Sequence, residues 1–287
     1  MLTVNWASMQ NQGVEVALST RNIHTKNFMW TTNFNFAYNN NKILKEALRE
    51  DALEPGREGY PVGALFALKT AGLDEEGYPM FEGKDGKAVS AMEFFKLQEW
   101  GFGATDLTAR ERRELYTYVG TADCPYTGGF NNTFTYKAFE LGVNFSFDFG
   151  GKVRSQPTYS IVDFDKGRNT NRDILNRWTP ENTETIFPVL LSQNERLDEY
   201  MWYSNQNEIY RNLDIWIRDL NYVRLQNIRL GYTLPTNFSR TLGMTSATVA
   251  IEGRNLLVFG SSYKNYLDPE TMSNAYATPA PKSVTLS

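Results

Sequence analysis

Apolar and polar residues alternate without a break along the segment FELGVNFSFDFGG, residues 139–151. Apolar side chains occupy every odd position from 139 to 149, whereas the even positions carry Glu140, Asn144 and Asp148 among small residues. Successive side chains of a β-strand point to opposite faces, so the pattern predicts a strand with one apolar and one polar face. Half-buried strands of soluble proteins usually run about five or six residues. About eleven alternating residues match a strand that crosses a bilayer at a tilt, although a single such strand also fits a large soluble β-domain.

The same alternation recurs elsewhere, and roughly eight strands are predicted in all. The further examples are WTTNFNFAY (30–38), GVEVALS (13–19), IRLGYTLP (228–235), ATVAIEGR (247–254) and SVTLS (283–287). In YVRLQN the apolar residues fall on odd positions, but in IRLGYTLP they fall on even ones. This change of phase predicts a β-bulge near Gln226 or Asn227.

The alternation assigns residues to two faces. If the strands cross a membrane, the apolar face is expected to meet lipid and the polar face a wet lumen. The residues predicted to face lipid are Trp30, Phe34, Phe36, Leu141, Val143, Phe145 and Phe147. The residues predicted to face the lumen are Glu15, Asn33, Asn35, Glu140, Asn144, Asp148 and Arg229.

The connections between these strands are unequal in a regular way. Residues 21–27, 137–138 and 235–246 form short or moderate links, whereas 40–129, 152–220 and 259–281 are long. Outer-membrane barrels are built with short turns at one end and long extracellular loops at the other. A soluble sandwich would have to carry three long, structure-poor connections, which is uncommon. The pattern therefore favours an all-β fold, an antiparallel transmembrane β-barrel segment with long extracellular loops.

The long connections hold local signals of their own. LDEEGYPMFEGKDGK (73–87) predicts a small hairpin because turn-forming residues separate its two halves, and ARERRE (109–114) predicts a solvated helical turn. The second long connection is rich in aromatic and amide side chains, which stack on sugar rings or hold a peptide. Packing within the loop or against a partner chain is an equally open interpretation. The candidate binding residues are Trp178, Trp202, Tyr203, Asn205 and Tyr210.

Composition narrows the classes of function. No window of 18 apolar residues predicts a transmembrane helix, which agrees with a mean hydropathy of -0.47. The net charge of -4 and the lack of a lysine and arginine stripe argue against a nucleic-acid partner. Cys124 and His24 are the single cysteine and histidine, so no disulfide framework, Cys-x-x-Cys site or histidine-based catalytic set is predicted. The sequence thus predicts no enzyme, cofactor or metal site.

The first residues, MLTVNWASMQNQGVEVAL, contain neither a basic region nor an apolar stretch of a secretory signal. For an outer-membrane protein this pattern suggests that an upstream part is missing.

Several phrases together resemble one known family. In chain order they are NQGVEVALSTRNI, FMWTTNFNFAYNNNKIL, YVGTADCPYTGGFNNTFTYKAFELGVNFSFDFGGKV, NRWTPEN, LNYVRLQNIRLGYTLP and IEGRNLLVF with YKNYLDPE. Their combination and order are similar to the carboxy-terminal part of SusC-like (SusC/RagA-type) TonB-dependent outer-membrane transporters. The resemblance extends from about residue 5 to the end of the chain.

The resemblance implies a part of a 22-stranded barrel in the outer membrane of Bacteroidetes-type bacteria. Such transporters import glycans, oligosaccharides or peptides beneath a SusD-like surface lipoprotein. The TonB complex drives them through a plug domain inside the barrel. The partners implied for this chain are therefore a SusD-like lipoprotein, the TonB complex through the missing amino-terminal part, the substrate and the lipid of the membrane.

The chain also departs from that family. Nothing in it resembles the amino-terminal extension, the TonB-contacting box or the plug, and about eight strands are far fewer than 22. The ending SVTLS stops short of the terminal aromatic residue of similar sequences. Residues 1–287 are therefore expected to be the carboxy-terminal portion of a β-barrel domain, without signal sequence, plug and first strands.

Two alternatives from other classes stay open at this stage. One is a self-contained small outer-membrane barrel that serves as an adhesin or structural protein. The other is a soluble β-sandwich that binds or cleaves carbohydrate, for which a second sheet covering 139–149 would be needed.

Overall fold

The computed structural model describes residues 7–101, 104–155, 167–169, 172–190, 211–260, 268–271 and 277–287. Among them, seven strands form one large sheet in the order β1-β2-β8-β9-β10-β11-β12. These strands are β1 (Ser8–His24), β2 (Phe28–Lys45), β8 (Tyr126–Tyr136), β9 (Phe139–Arg154), β10 (Ile217–Thr233), β11 (Thr248–Phe259) and β12 (Ser283–Leu286). All the strands predicted from alternation are confirmed, and the total of about eight remains a prediction.

The chain divides into two compact units. The sheet unit consists of Met9–Lys42, Thr121–Val153 and Arg218–Ser287. The loop unit consists of Met1–Ser8, Ile43–Gly120 and Arg154–Ile217, of which the described residues include most of the first long connection.

Strand pairing in the sheet unit is antiparallel and regular. β2 pairs with β8 from Phe28↔Tyr136 to Tyr38↔Tyr126 without a shift of register. β8 pairs with β9 in the same unbroken way, from Tyr136↔Phe139 to Tyr126↔Phe149. Side chains of like character therefore stand side by side across three strands, which is how a sheet acquires two different faces.

The short connections lie where the sequence predicts them. Residues 25–27 join β1 to β2, and Lys137 with Ala138 joins β8 to β9. Lys137 adopts a positive φ of 51°, the left-handed conformation that tight hairpin turns require. The moderate connection after β10 contains the short helix α3 (Thr236–Thr241). These turns keep neighbouring strands antiparallel.

The expectation of structure-poor long connections is wrong for the loop unit. The first connection contains β3 (Ala64–Leu68), β4 (Thr70–Leu73), β5 (Pro79–Glu82), β6 (Ala88–Val89), α1 (Ala91–Phe94), α2 (Ala109–Glu114) and β7 (Tyr116–Thr121). The hairpin predicted at 73–87 is confirmed as β4 and β5, and β6 adds a third strand to it. Short 3₁₀-helices at Arg172–Asn176 and Asp214–Trp216 belong to the second connection.

The loop unit has a hydrophobic core of its own. Phe81 and Trp216 are fully buried, and Leu68 and Leu213 are 1% exposed. The Phe81 ring stacks on Phe94 with their centroids 4.7 Å apart. Fully burying such a side chain contributes about 1.5–3 kcal/mol, so a few residues from distant segments stabilise the long connections as one folded body.

The helical turn predicted at 109–114 is confirmed as α2. The Thr108 hydroxyl accepts from the Glu111 N–H at 3.3 Å, and the Glu111 carboxylate accepts from the Thr108 N–H at 2.9 Å, which forms a capping box. Hydrogen bonds from Thr108 and the nearby Lys96 lower the pKa of Glu111 to about 2. The Glu111 carboxylate therefore stays ionised near neutral pH, and the capping box keeps its acceptor.

No helix among the described residues has both the length and the apolar character needed to cross a membrane.

Glycine at position 77 is required by a close contact in the loop unit. A Cβ there would lie 2.4 Å from the Trp178 ring, and the residue has a φ of 84°. Gly72 has a similar φ of 89° but nothing within 4 Å of its would-be Cβ. We predict that Gly77→Ala destabilises the unit by about 1–3 kcal/mol more than Gly72→Ala. Both variants strain a backbone of positive φ, but only the new methyl group at position 77 collides with the Trp178 ring.

Thermal unfolding followed by tryptophan fluorescence measures this difference. Equal shifts for the two variants would show that Trp178 does not pack on the hairpin.

Candidate functional site

The polar face of the large sheet carries the residues predicted to face the lumen. Across β2, β8 and β9, Asn33 pairs with Asn131, which pairs with Asn144. One step further, Asn35 pairs with Gly129, which pairs with Ser146. The Ser19 hydroxyl donates to Asn33 Oδ1 at 2.8 Å and extends the face to β1. Amides and hydroxyls thus form continuous rows that offer hydrogen bonds on this side of the sheet.

Contacts between β9 and β10 demonstrate the predicted bulge. Gln226 Nε2 donates to Ser146 Oγ at 2.8 Å, and Arg229 Nη1 lies 3.3 Å from Glu140 Oε1. The two β9 residues, Ser146 and Glu140, are both even-numbered and share one face. The β10 residues that reach them are Gln226, at an even position, and Arg229, at an odd one. The register with β11 also shifts between Leu225 and Asn227, so the pairing is irregular at the position where the sequence predicts a bulge. After the bulge the polar face of β10 continues at odd positions.

An ionic cluster lies on the same face at the other end of β10. Arg224 is 1% exposed and donates to Asp268 and, at 2.9 Å, to Glu270. The Tyr222 hydroxyl donates to Asp148 Oδ2 at 2.5 Å and lies 3.3 Å from Glu270 Oε1. Side chains of β9 and β10 are thereby joined to residues 268–271, which lie between β11 and β12 in sequence.

The electrostatics of this cluster make Arg224 indispensable to it. The Asp268 side chain is only 8% exposed, and its partner Arg224 only 2%. A buried carboxylate is costly unless a cation neutralises it, so removal of Arg224 would leave Asp268 without compensation. The planar guanidinium also satisfies two carboxylates at once, which an ammonium group does less well. The cluster fixes the segment 268–271 against the polar face.

The sequence pattern did not reveal this cluster. Asp148 was assigned to the polar face, but Arg224 was only one letter of the phrase LNYVRLQN. Its partners belong to the phrase YKNYLDPE, more than 40 residues further along the chain. Only the joint presence of an arginine in a strand and two acidic residues in a loop hinted at a pairing.

The opposite face of the sheet is lined with aromatic rings. Phe130 stacks on Phe145 at 4.7 Å, and Phe34 on Phe147 at 6.5 Å between centroids. Such pairs contribute about 0.5–1.5 kcal/mol each beyond the area that they bury. The structure therefore places the residues predicted to face lipid on one common face. Their contact with lipid stays a prediction.

Polar groups interrupt that apolar face near the β1–β2 turn. The Trp30 indole N–H donates to Asn132 Oδ1 at 3.0 Å, and the Thr32 hydroxyl donates to the same oxygen at 2.6 Å. Asn22 Nδ2 donates to Thr32 Oγ1 at 2.7 Å. Because these groups satisfy one another, the face tolerates them close to a strand end, where membrane proteins place amphipathic residues.

Among the candidate binding residues in the second long connection, Trp178 is half-buried against Gly77. Its N–H donates to the Phe187 carbonyl at 3.0 Å, and Asn182 Nδ2 closes the turn by donating to the Arg177 carbonyl at 3.0 Å. Packing within the loop, one of the two open interpretations, thus accounts for Trp178. Trp202, Tyr203, Asn205 and Tyr210 lie outside the described residues, and their binding roles stay predictions.

A wide cavity in the loop unit is lined by charges that are mostly paired with one another. It measures about 730 Å³, lies in the loop unit and is bordered by several lysines and carboxylates. Lys69 pairs with Glu82 at 2.5 Å and Lys96 with Glu111 at 3.1 Å, so the lining charges largely neutralise one another. Within the described ranges, no three or more His, Cys, Asp or Glu side chains are arranged to hold a metal ion.

We predict that Arg224→Met releases residues 268–271 and destabilises the fold by about 3–5 kcal/mol, because two carboxylates lose their buried partner. Arg229→Met is the matched control, since the Arg229–Glu140 pair is 37% and 54% exposed and contributes at most about 1 kcal/mol. Hydrogen exchange followed by mass spectrometry reports on the peptide that contains 268–271. Unchanged exchange in the Arg224 variant would mean that the cluster does not hold this segment.

Comparison with known proteins relates the chain to TonB-dependent receptors. It is 28% identical over 273 residues to TonB-dependent receptor P3 of Formosa agariphila, a match that covers 89% of this chain and 25% of that protein. It is 22% identical over 303 residues to TonB-dependent receptor SusC of Bacteroides thetaiotaomicron, covering 99% of this chain and 26% of that protein. No protein-family model matches. The chain spans about a quarter of the length of the curated relatives it matches.

Solved structures show the same fold. The structure of the RagAB peptide transporter matches with a TM-score of 0.65 and 23% identity over 93% of this chain and 27% of that chain. The RagAB peptide importer in its closed-closed state matches with a TM-score of 0.65 and 24% identity over the same shares. The all-β, antiparallel fold predicted from the sequence is thereby confirmed, whereas barrel closure stays a prediction. The chain is therefore related to the SusC-like TonB-dependent receptors of the bacterial outer membrane, as its sequence motifs indicated.

Proposed function

We propose that this chain is the carboxy-terminal part of the barrel of a TonB-dependent transporter, which imports glycans, oligosaccharides or peptides across the outer membrane. In that assembly a SusD-like lipoprotein covers the extracellular side, and the TonB complex acts through the amino-terminal part of the transporter. The proposal rests on the sequence relationship, the common fold and one observation, an apolar sheet face that the described residues leave exposed.

That face extends from one edge of the sheet to the other. On β1, Val14 and Leu18 are 60% and 53% exposed, and on β12 Val284 is 67% exposed. Between them, Leu230 and Ile251 pair across β10 and β11 and are 46% and 49% exposed. Soluble monomers rarely expose a continuous apolar surface of this extent, whereas a bilayer covers one at no cost.

A carbohydrate-binding β-sandwich would cover this face with a second sheet. Phe139 and Phe149, at the two ends of the central row on β9, are 49% and 37% exposed among the described residues. The two other sheets of the described chain, of two and three short strands, belong to the loop unit. The observations therefore favour lipid as the cover of this row.

The edges of the sheet favour a part of a larger barrel over a free-standing one. β1 and β12 each have one neighbour among the described strands, so one side of the seventeen-residue strand β1 leaves backbone groups without a strand partner. Each unpaired group costs several kcal/mol in hydrocarbon, and spanning sheets must therefore close. The remaining strands of the proposed transporter provide that closure and a lumen wide enough for a nutrient.

We predict that Phe145→Arg lowers the amount of chain folded in the outer membrane, whereas Asn144→Arg is tolerated. The two residues are neighbours on β9 but lie on opposite faces. An arginine on the lipid face costs about 2–4 kcal/mol near the bilayer midplane, while one in a wet lumen stays hydrated. Folded barrels migrate differently on an SDS gel before and after boiling. The size of this heat-sensitive band in the outer-membrane fraction measures how much of the protein is folded.

Phe145→Leu controls for the loss of the ring contact, because it keeps the face apolar. If Asn144→Arg blocked assembly and Phe145→Arg did not, the assignment of the two faces would be reversed and the proposal lost.

A further inference from the structure

A small polar pocket in the loop unit lies around the side chain of Arg154. It has a volume of about 150 Å³, and its polar lining residues are Glu54, Arg57, Tyr116, Asn212 and Arg154. A water molecule takes up about 30 Å³ in the liquid, so the space equals about five waters. It accommodates a carboxylate with the carbons next to it, while a longer chain has to run outside.

Two backbone carbonyls hold the guanidinium of Arg154 in a fixed position. Its Nη1 donates to the Arg211 carbonyl at 2.9 Å, and the other terminal nitrogen donates to the Phe66 carbonyl. In the described part of the chain, no carboxylate comes within ion-pair distance of this group. Two carbonyls orient the guanidinium but do not neutralise its positive charge as a directly paired carboxylate would, which favours an anion in the pocket.

The charge of Arg154 dominates the interior of the pocket. Glu54 and Arg211 are close enough to act on Arg154 electrostatically, and Arg57 lines the same pocket. A second carboxylate, Glu46, accepts the backbone N–H of Arg57 at 2.5 Å. Glu54 and Arg57 are both exposed, so water and salt screen their charges, whereas Arg154 is half-buried and its positive charge is screened less.

Aromatic rings adjoin this positive pocket. Phe66 lines the pocket and contacts two tyrosines, with centroids 5.2 Å from Tyr60 and 5.9 Å from Tyr118. The tyrosine rings lie 4.8 Å apart, and each residue is 37% exposed. Exposed aromatic faces pack against the C–H face of a pyranose ring, and an aspartate or glutamate side chain has no such ring to offer.

We infer that the Arg154 pocket and the cluster of Tyr60, Phe66 and Tyr118 form a subsite for an acidic sugar. The carboxylate of a uronic acid enters the pocket and binds the guanidinium groups of Arg154 and Arg57. Its ring lies against the aromatic cluster, and the rest of the glycan extends outside. This inference rests on the proposed transport function and narrows the substrate class to glycans that contain uronic acids.

The test uses the complete transporter of which this chain is proposed to be a part, purified in detergent. Isothermal titration calorimetry compares trigalacturonate with its fully methyl-esterified form, which keeps the sugar rings but lacks the charge. Triglutamate serves as an acidic peptide of similar charge. Arg57→Gln is the principal variant because Arg57 is exposed and its replacement leaves the carbonyl contacts of Arg154 intact.

We expect Arg57→Gln to weaken trigalacturonate binding about tenfold, as loss of a charge-assisted hydrogen bond does, and to leave the ester unaffected. Tyr60→Ala should weaken both sugars, because it removes ring contact rather than charge. Arg110→Gln makes the same charge change outside the pocket and should alter neither.

Equal affinity for the acid and the ester, or an unchanged affinity in the Arg57 variant, would overturn the subsite. Triglutamate binding as tight as that of trigalacturonate, with the same dependence on Arg57, would overturn the assignment to a sugar. A transporter that reaches the outer membrane but fails these binding tests refutes this inference alone. A chain that never enters an outer-membrane barrel refutes the proposed function itself.

Discussion

The fold of the sheet unit depends on strand pairing that does not slip. β2, β8 and β9 pair residue by residue from Phe28↔Tyr136 to Tyr126↔Phe149, and the side chains of a strand alternate between faces. A shift by one residue would move every phenylalanine to the polar side and every asparagine to the apolar side. The two-residue turn at 137–138 fixes this register from one end. Both the apolar surface and the polar rows exist only because the pairing holds along the whole strand.

The two units are stabilised by different physical terms. In the loop unit, Phe81 and Trp216 are withdrawn from water completely, and burial of apolar area dominates as in any soluble domain. In the sheet unit, few described apolar side chains are buried, among them Leu225 and Ala250, and order within the sheet comes largely from backbone hydrogen bonds, ring stacking and the Arg224 cluster. Burial of apolar area therefore stabilises the sheet unit little in water, whereas it stabilises the loop unit through a hydrophobic core. The two parts are thus suited to different solvents.

Alternation was sufficient to predict the strands of the sheet, because consecutive residues of one strand point to different faces and their apolar or polar character follows the environment of each face. The bulge near Gln226 was also predictable, since a change of phase is visible in a single segment. The core of the loop unit was not, because Leu68 and Phe81 lie in short strands and Trp216 in a distant 3₁₀-helix, and none of these elements is long enough to show a periodic signal. The same limit applies to Arg224 and Asp268, which are 44 residues apart and meet only once the chain is folded. The Arg154 pocket likewise depends on residues from four separate segments.

The irregular pairing near Gln226 in β10 shows how the length of a strand in this sheet is constrained among homologous proteins. Before it, Tyr222 and Gln226 contact β9 from even positions, and after it Arg229 does so from an odd one. Any further insertion or deletion of a single residue within a strand would exchange the two faces of everything up to the next turn. Homologous strands are therefore expected to differ in length by residue pairs, or to gain a second bulge that restores the phase. Single-residue length changes should accumulate instead in the connections, where no alternation has to be preserved.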